Sequence, residues 1–352
     1  MGSTGSMQFS QAIVFAILLV AARTSGSAPT DALRPGADER ETSRHLSFVR
    51  EFSSSQDVKP GHPVLNRTLD IVAGPKDGEP ATGVLLEPYG VTTDSTHRVF
   101  VTDSKAGAVH VFDFLHAKYS ILRGGDHPLS PAGIAADRQG NVYVSDSSLQ
   151  TVLVYDSKGK FVRYLKKLKG RESFFDAPQG LAVDAATGHI YVCDTDRHMV
   201  IMLDRKGHVL AQLGKRGGGV GPGEFRFPTQ VVAAGDEIAV LDSQNARIQI
   251  LDARGNFRKE IMLGEVTQHA GLAMDNDRNI YLSDPFLSHL RVFDHDGKLL
   301  YEFGEQGIKP GQFNGISGIW VESGHCLFAV DTQNKRVQVF QVNASRSTGE
   351  CP

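Results

Sequence analysis

The sequence is poor in cysteine, with three in 352 residues: Cys193, Cys326 and Cys351. Three cysteines are too few for the disulfide framework that stabilises small secreted domains. We expect Cys193 to be a small buried residue that lies too far from Cys326 to pair with it. For Cys351, close to the C-terminus, we expect a free thiol.

The sequence has no excess of either charge. Lys and Arg number 37 against 40 Asp and Glu, which gives a formal net charge of −3. This balance argues against a nucleic-acid or anionic-membrane partner. One basic stretch, residues 166–171, precedes Phe174 and Phe175, and we interpret it as a solvated loop rather than a stacking site for bases.

The sequence also lacks the common catalytic signatures. It contains no G-x-S-x-G, no H-E-x-x-H and no phosphate-binding loop. The glycine-rich run at 215–221 is not followed by Lys-Ser or Lys-Thr, so it indicates a flexible connection.

No apolar run is long enough to span a bilayer comfortably. The longest, Ala12 to Ala22, has about eleven residues and suits the core of a signal peptide, although no Lys or Arg precedes it. We therefore predict a signal peptide over 1–28, an extracytoplasmic (periplasmic or secreted) protein, and no transmembrane span in the mature chain. Residues 29–66 are predicted to be a polar disordered tether, in which 38–52 could form a helix, and 343–352 a flexible tail.

What the sequence has in abundance is a repeat. Pro131 to Leu165 contains four short alternating runs separated by turns such as Asp137-Arg138-Gln139-Gly140, which is typical of an antiparallel meander. The pattern apolar-x-Asp followed by a short loop and a second apolar strand occurs six times, at intervals of 42 to 48 residues. The six aspartates are Asp103, Asp146, Asp194, Asp242, Asp284 and Asp331.

A period of this length with four strands per copy predicts an all-β fold, a six-bladed β-propeller over 67–342. The sixth copy ends near Val342 without a fourth strand. Leu69 to Gly74 resembles the ends of other fourth strands, so we predict that this N-terminal strand completes the last blade and closes the ring.

The repeats resemble the NHL repeat. The clearest matches are Pro178 to Asp184 (PQGLAVD) and Asp242 to Ile250 (DSQNARIQI), and Asp331 to Val339 is nearly as close. The resemblance covers roughly 69–342 and implies a six-bladed propeller. It does not imply one function, because the family includes binding scaffolds, sensor domains, RNA-binding modules and a few enzymes.

One similar enzyme family, the peptidyl-hydroxyglycine amidating lyases, holds zinc with a His directly after the Pro that opens several blades. No His occupies the matching positions here, and His269 lies one residue early. We therefore predict no metal site and no cofactor. The matching positions are Tyr89, Ala132, Gln179, Thr229, Ala270 and Ser317.

We expect ligand binding at the tunnel rim, with Tyr89, Gln179, Thr229, His269 and Ser317, and at the six loops after the aspartates. The aspartates themselves recur once per blade, which favours a structural role. Whether these loops share a face with the tunnel rim stays open at this point.

The leading hypothesis is a monomeric exported scaffold for an unknown protein, peptide or glycan ligand. The alternative is an extracytoplasmic lyase or lactonase-like hydrolase with calcium or zinc in the tunnel. A cytoplasmic RNA-binding propeller comes third, and it requires that the apolar leader is not a signal.

Overall fold

The computed structural model of the protein describes residues 45–59, 83–124, 129–165, 174–264, 270–322, 325–343 and 351. The predicted signal peptide, the basic stretch 166–171 and His269 lie outside these residues. No helix among the described residues is long and apolar enough to cross a membrane.

Six four-stranded antiparallel sheets form the blades of a ring, which confirms the predicted six-bladed β-propeller. Within blades 1 to 5 the strands follow chain order from the central tunnel outward, and in blade 6 the outermost strand comes from the N-terminal part of the chain. Blade 1 comprises β2 Pro88–Thr93, β3 Val99–Asp103, β4 Ala108–Asp113 and β5 Lys118–Leu122. Blade 2 comprises β6 Pro131–Ala136, β7 Val142–Asp146, β8 Thr151–Tyr155 and β9 Phe161–Leu165. Blade 3 comprises β10 Pro178–Val183, β11 Ile190–Asp194, β12 Met199–Leu203 and β13 Val209–Gly214.

Blades 4 to 6 also have four strands each. Short 3₁₀ turns lie between strands, at Ser55–Val58, Thr195–Arg197 and Ser243–Asn245. Blade 4 comprises β14 Pro228–Ala234, β15 Glu237–Asp242, β16 Arg247–Asp252 and β17 Phe257–Met262. Blade 5 comprises β18 Leu272–Met274, β19 Ile280–Asp284, β20 His289–Phe293 and β21 Leu299–Phe303. The short strands β22 Glu305–Gln306 and β23 Gln312–Phe313 pair in the connection to blade 6. Blade 6 comprises β24 Ile316–Glu322, β25 Cys326–Asp331, β26 Arg336–Val342 and the N-terminal β1 Leu46–Phe52.

The turns between strands form because an Asp binds the backbone ahead of it. In blade 2, Asp137 Oδ1 accepts hydrogen bonds from the N–H groups of Gln139 and Asn141, at 2.9 Å each. Gly140 then takes a φ of 78°, a left-handed conformation that glycine adopts at little cost. Asp156 and Gly159 repeat this arrangement at the turn between β8 and β9.

The hydrophobic core lies between neighbouring blades rather than within any one of them. Phe100 and Val109 of blade 1, for example, pack in one cluster with Val142 and Tyr155 of blade 2. Fully burying such a side chain contributes about 1.5–3 kcal/mol. Because each blade buries its apolar faces only against its neighbours, the blades depend on closure of the ring.

Hydroxyl groups join successive blades near the tunnel. The residue before the aspartate donates to a carbonyl of the next blade at three seams: Thr102 to Ala132, Ser145 to Gln179, and Ser283 to Ser317, at 2.6 to 3.0 Å. Blade 3 has buried Cys193 at this position. There Thr195 supplies the bond instead, 2.8 Å from the carbonyl oxygen of Pro228.

An N-terminal strand closes the ring as predicted, but the segment that does so is not the predicted one. Leu46–Phe52 pairs antiparallel with β26, in the position that Leu69 to Gly74 was expected to take. Leu69 to Gly74 itself lies outside the described residues. The closing strand falls inside the segment predicted to be a tether with a possible helix at 38–52, and both of those interpretations are wrong over residues 46–52.

A salt bridge explains why this strand fits. Arg336 Nη1 lies 2.5 Å from Glu51 Oε2 on the closing strand, just as Arg247 Nη1 lies 2.6 Å from Glu260 Oε2 in blade 4. Glu51 faces Gln338 in the sheet register, and Glu260 faces Gln249 at the equivalent place. The closing strand therefore matches the fourth strand of blade 4, and its Glu51 carboxylate takes the place of that of Glu260.

The C-terminal segment is fastened to blade 6 by a disulfide between Cys326 and Cys351, with Cα atoms 5.5 Å apart. The prediction that Cys351 is a free thiol is therefore wrong, and so is a flexible tail at that residue. The two cysteines are 25 residues apart in sequence, and no motif around them reveals the pairing. Cys193 is buried and unpaired, and burial raises the pKa of its thiol well above the ordinary value.

Candidate functional site

The sheet register answers the question that the sequence left open. In each of five blades, the residue that opens the inner strand pairs directly with the aspartate that ends the second strand. The loops after the aspartates therefore lie on the same face as the tunnel entrance, which we call the loop face. The pairs are Pro88 with Asp103, Pro131 with Asp146, Pro178 with Asp194, Pro228 with Asp242, and Ile316 with Asp331.

All six of these loops have the same backbone turn. The fourth residue after every aspartate has a positive φ, between 49° and 61°, although only one of the six is glycine. These residues are Gly107, Gln150, His198, Ala246, Ser288 and Lys335. The aspartates fix the turns, because Asp103, Asp146 and Asp284 accept the N–H of the residue three positions ahead, at 2.7 to 3.0 Å. Their structural role is that expected from the sequence.

The side chains on this common frame differ from blade to blade. The second residue after each aspartate is exposed in all six loops. In chain order these residues are Lys105, Ser148, Asp196, Gln244, Phe286 and Gln333. A constant frame that presents five kinds of exposed side chain over six loops is typical of a recognition surface.

The tunnel encloses little space. Its cavity has a volume of about 70 Å³, enough for a few water molecules, and is lined largely by backbone and small apolar side chains. Tyr89 of blade 1 and Gln230 of blade 4 both line it. Burial raises the pKa of Tyr89, and the Gln230 side chain acts in the opposite direction.

The predicted rim residues have different surroundings. Tyr89 lines the tunnel, while the hydroxyl groups of Thr229 and Ser317 are buried. Thr229 Oγ1 lies 2.5 Å from Ser243 Oγ, and Ser317 Oγ donates to the carbonyl of Tyr89 at 3.0 Å. The carbonyl of Gln179 accepts the bond from Ser145, and its side chain is half-buried.

Two residues of the site were not found from the sequence. Gln230 stands where five other blades have glycine, so the break in the P-x-G pattern at Pro228-Thr229-Gln230 was an available signal. The sequence signal for Phe286 was weaker: it is the aromatic residue among the six exposed loop positions.

Titratable groups of the described residues do not form a recognisable catalytic or metal centre. No group of three or more His, Cys, Asp or Glu in this part of the chain could hold a metal ion. His110 lies with Nε2 3.5 Å from Asp103 and Nδ1 2.7 Å from the hydroxyl of Tyr119, buried inside blade 1. Burial alone would raise the pKa of Asp103, but its hydrogen bonds from His110 and backbone N–H groups outweigh this and lower it. This chain of contacts is buried structure rather than an open site.

Comparison with known proteins identifies the repeat. A model of the NHL repeat matches residues 175–200, which span the opening of blade 3. No curated protein matches the chain.

Solved structures share the fold at low identity. A streptogramin B lyase structure is 13% identical, with a TM-score of 0.55 over 73% of this chain and 94% of that one. A catalytically inactive virginiamycin B lyase from Staphylococcus aureus with quinupristin is 14% identical, with a TM-score of 0.54 over 73% and 96%. A nidogen/laminin complex gives 20% identity and a TM-score of 0.50 over 63% and 81%. Likeness at this level shows the fold alone, and these proteins include both enzymes and binding proteins.

Proposed function

We propose that this chain, a six-bladed β-propeller of the NHL-repeat type, is an extracytoplasmic scaffold that binds a protein, peptide or glycan ligand on its loop face. The observation that carries the proposal is the shared backbone of the six loops, which holds five kinds of exposed side chain around the tunnel entrance. Rigid elements that carry variable exposed residues are the usual basis of recognition in proteins.

The tunnel supports this assignment by its small size. A cavity of about 70 Å³ is well below the 300–1,000 Å³ typical of small-molecule sites. Contacts with a large ligand would therefore lie on the loops, with Tyr89 and Gln230 at their centre.

The disulfide between Cys326 and Cys351 supports the proposed location. Disulfides persist in oxidising compartments and are rare where thiols are kept reduced. Together with the apolar run at Ala12 to Ala22, it favours export. N-terminal sequencing of the native protein tests this: a start between about residues 22 and 30 is expected, and an intact Met1 on cytoplasmic protein would contradict it.

The lyase or hydrolase alternative has no described constellation of side chains in its favour. The fold likeness to two lyases, at 13% and 14% identity, does not supply one. We therefore propose no reaction for this chain.

Capture from the native envelope or secreted fraction tests the scaffold proposal. The tagged protein should retain a stoichiometric ligand that is lost when Gln244, Phe286 and Gln333 are all replaced by Ala. The matched control replaces Lys158, Arg254 and Lys298, exposed residues in turns at the other end of the blades, and should retain the ligand. A ligand that both triple variants retain equally would contradict binding on the loop face.

A further inference from the structure

Three apolar side chains on the loop face of blades 5 and 6 are unusually exposed. Phe286 is 78% exposed, Leu287 63% and Ile308 76%. We call this set the apolar platform. Large exposed apolar side chains that lie together mark interaction sites more often than isolated ones do.

Hydrogen bonds join the loop-face segments that carry these three residues. Phe286 and Leu287 precede Ser288, whose hydroxyl accepts the N–H of Gly315, at 3.4 Å. Gly315 ends the connection that contains Ile308, and its carbonyl accepts the N–H of Thr332 in the blade 6 loop, at 3.3 Å. The blade 5 loop, the connection and the blade 6 loop therefore adjoin one another.

The platform is held rigidly. The N–H groups of Phe286 and Leu287 both donate to Asp284 Oδ1, at 3.0 Å each. The carbonyl of Ile308 accepts a bond from Arg336 Nη1 at 2.8 Å, and Arg336 is itself buried against Asp331. Because the backbone is fixed before a partner arrives, less conformational entropy is lost on binding.

Blade 3 offers an internal comparison. Val220 occupies the place of Ile308 in the connection to blade 4, is 70% exposed, and is followed by a glycine whose carbonyl Arg247 binds, as Arg336 binds that of Lys309. Its neighbouring loop, however, carries Asp196 and Arg197 where blade 5 carries Phe286 and Leu287. An exposed aliphatic residue in the connection thus belongs to the fold, whereas the addition of Phe286 and Leu287 is particular to blade 5.

The connection and the blade 6 loop each carry an exposed lysine. Lys309 and Lys335 are exposed, and no ion pair joins either to another described residue. Glu305 is the exposed acidic residue of the connection, and its Oε1 accepts a bond from Gln312 at 2.7 Å. Asp331 is buried and neutralised by Arg336.

We propose that the apolar platform binds a protein segment that presents apolar side chains next to carboxylates. The inference rests on the proposed function and specifies its partner: apolar contacts meet Phe286, Leu287 and Ile308, and carboxylates pair with Lys309 and Lys335. A second copy of this chain fits less well, because its own lysines would face these. A neutral glycan would make little use of the aliphatic Leu287 and Ile308.

A phage-displayed random peptide library, panned on the purified full chain, tests the proposal. Enriched peptides should combine large apolar residues with Asp or Glu. The double variant F286S/L287S should bind them at least about thirtyfold more weakly, as expected for a central interface contact. K309E/K335E should bind the enriched peptides roughly tenfold more weakly, and the loss of affinity should be larger at low salt than at high salt. V220S is the matched control and should leave their affinity unchanged.

Other outcomes would overturn the platform. These are the absence of enriched peptides, enrichment of basic peptides, or equal affinity for F286S/L287S. Binding of the protein to vesicles of phosphatidylcholine and phosphatidylglycerol that F286S/L287S abolishes would also overturn it, because a lipid surface would then be the partner. Peptides that bind F286S/L287S and K309E/K335E as tightly as the unchanged protein, but bind Q244A more weakly, would contradict binding at the platform. That result would still support recognition on the loop face.

Discussion

At the scale of single residues, glycine sets how closely the blades approach the tunnel axis. A Cβ added at Gly133 would lie 2.5 Å from the carbonyl oxygen of Gln179, and one at Gly318 would lie 2.3 Å from that of Tyr89. Both contacts are with backbone of the next blade, which cannot move without shifting that blade. These positions admit no larger side chain in the observed ring.

Gly318→Ala should therefore lower the free energy of unfolding by at least about 2 kcal/mol, as overpacking against backbone does. Gly221→Ala is the control, because its Cβ would meet only the flexible side chain of Glu224, at 3.2 Å, and should change stability by no more than about 0.5 kcal/mol. Urea unfolding of the two variants measures the difference. Equal stability would mean that the blades can separate at little cost.

Buried tyrosines give a pH dependence with a definite sign. Burial raises the pKa of Tyr143, Tyr191 and Tyr301 to about 12. The unfolded chain releases these protons near pH 10, so the stability these residues contribute is complete below that pH and is lost as pH rises toward 12.

Unfolding followed at pH 8, 9.5 and 11 should show little change over the first interval and a clear fall over the second. Phenolate absorbance of the native protein should lag behind that of the unfolded chain over the same range. Native tyrosines that all titrate near pH 10 would contradict the described burial.

Some of the site's residues could be found from the sequence and others could not. Tyr89 was placed at the tunnel because blade-opening positions recur in register. The hydroxyl partners of Thr229 and Ser317 could not be assigned, since Ser243 lies 14 residues along the chain and Tyr89 belongs to another blade. The exposure of Phe286 depends on packing, which a pattern of residue types does not report.

At the scale of elements, the closing strand is the part that sequence reasoning misplaced. Leu69 to Gly74 was chosen for its apolar residues and terminal glycine. The more specific signal was a glutamate directly before an apolar residue near the end of a fourth strand, as in Glu260-Ile261 and Glu302-Phe303. Glu51-Phe52 has it, and Leu69 to Gly74 does not. The long connection from Phe52 to Pro88 concealed this, because the other connections between blades are much shorter.

A protein that begins at residue 54 should therefore be far less stable than one that begins at residue 45. The shorter protein loses the burial of Leu46 and Phe52 and leaves Arg336 without Glu51, together worth more than about 4 kcal/mol. Thermal melts at matched concentration measure the difference.

A synthetic peptide of residues 45–53 should restore part of the lost melting temperature, whereas the same peptide with Glu51→Ala should restore less. If both truncated proteins melt at the same temperature, β1 does not close the ring. Adding the peptide keeps the test informative if the shorter protein folds poorly alone, because the gain in melting temperature is then measured on that protein.

At the scale of the whole molecule, the fold was predictable because the same pattern of strands and turns occurs six times in the sequence. Period, turn chemistry and strand alternation agree in every copy, so errors in one blade do not alter the ring. The disulfide was not predictable in the same way, because Cys326 and Cys351 are not part of the pattern that recurs in every blade and lie 25 residues apart in sequence. Function depends on the residues that differ between the copies, and the repeat pattern does not predict what those residues do.

Site-specific photo-crosslinking in the native host tests the central claim, recognition on the loop face, most directly. A benzophenone amino acid placed at Gln333, on the loop face, should give one dominant crosslinked species. The same probe at Lys158, in a turn at the other end of its blade, should give none above background. Strong crosslinking from position 158 with none from position 333 would contradict the account.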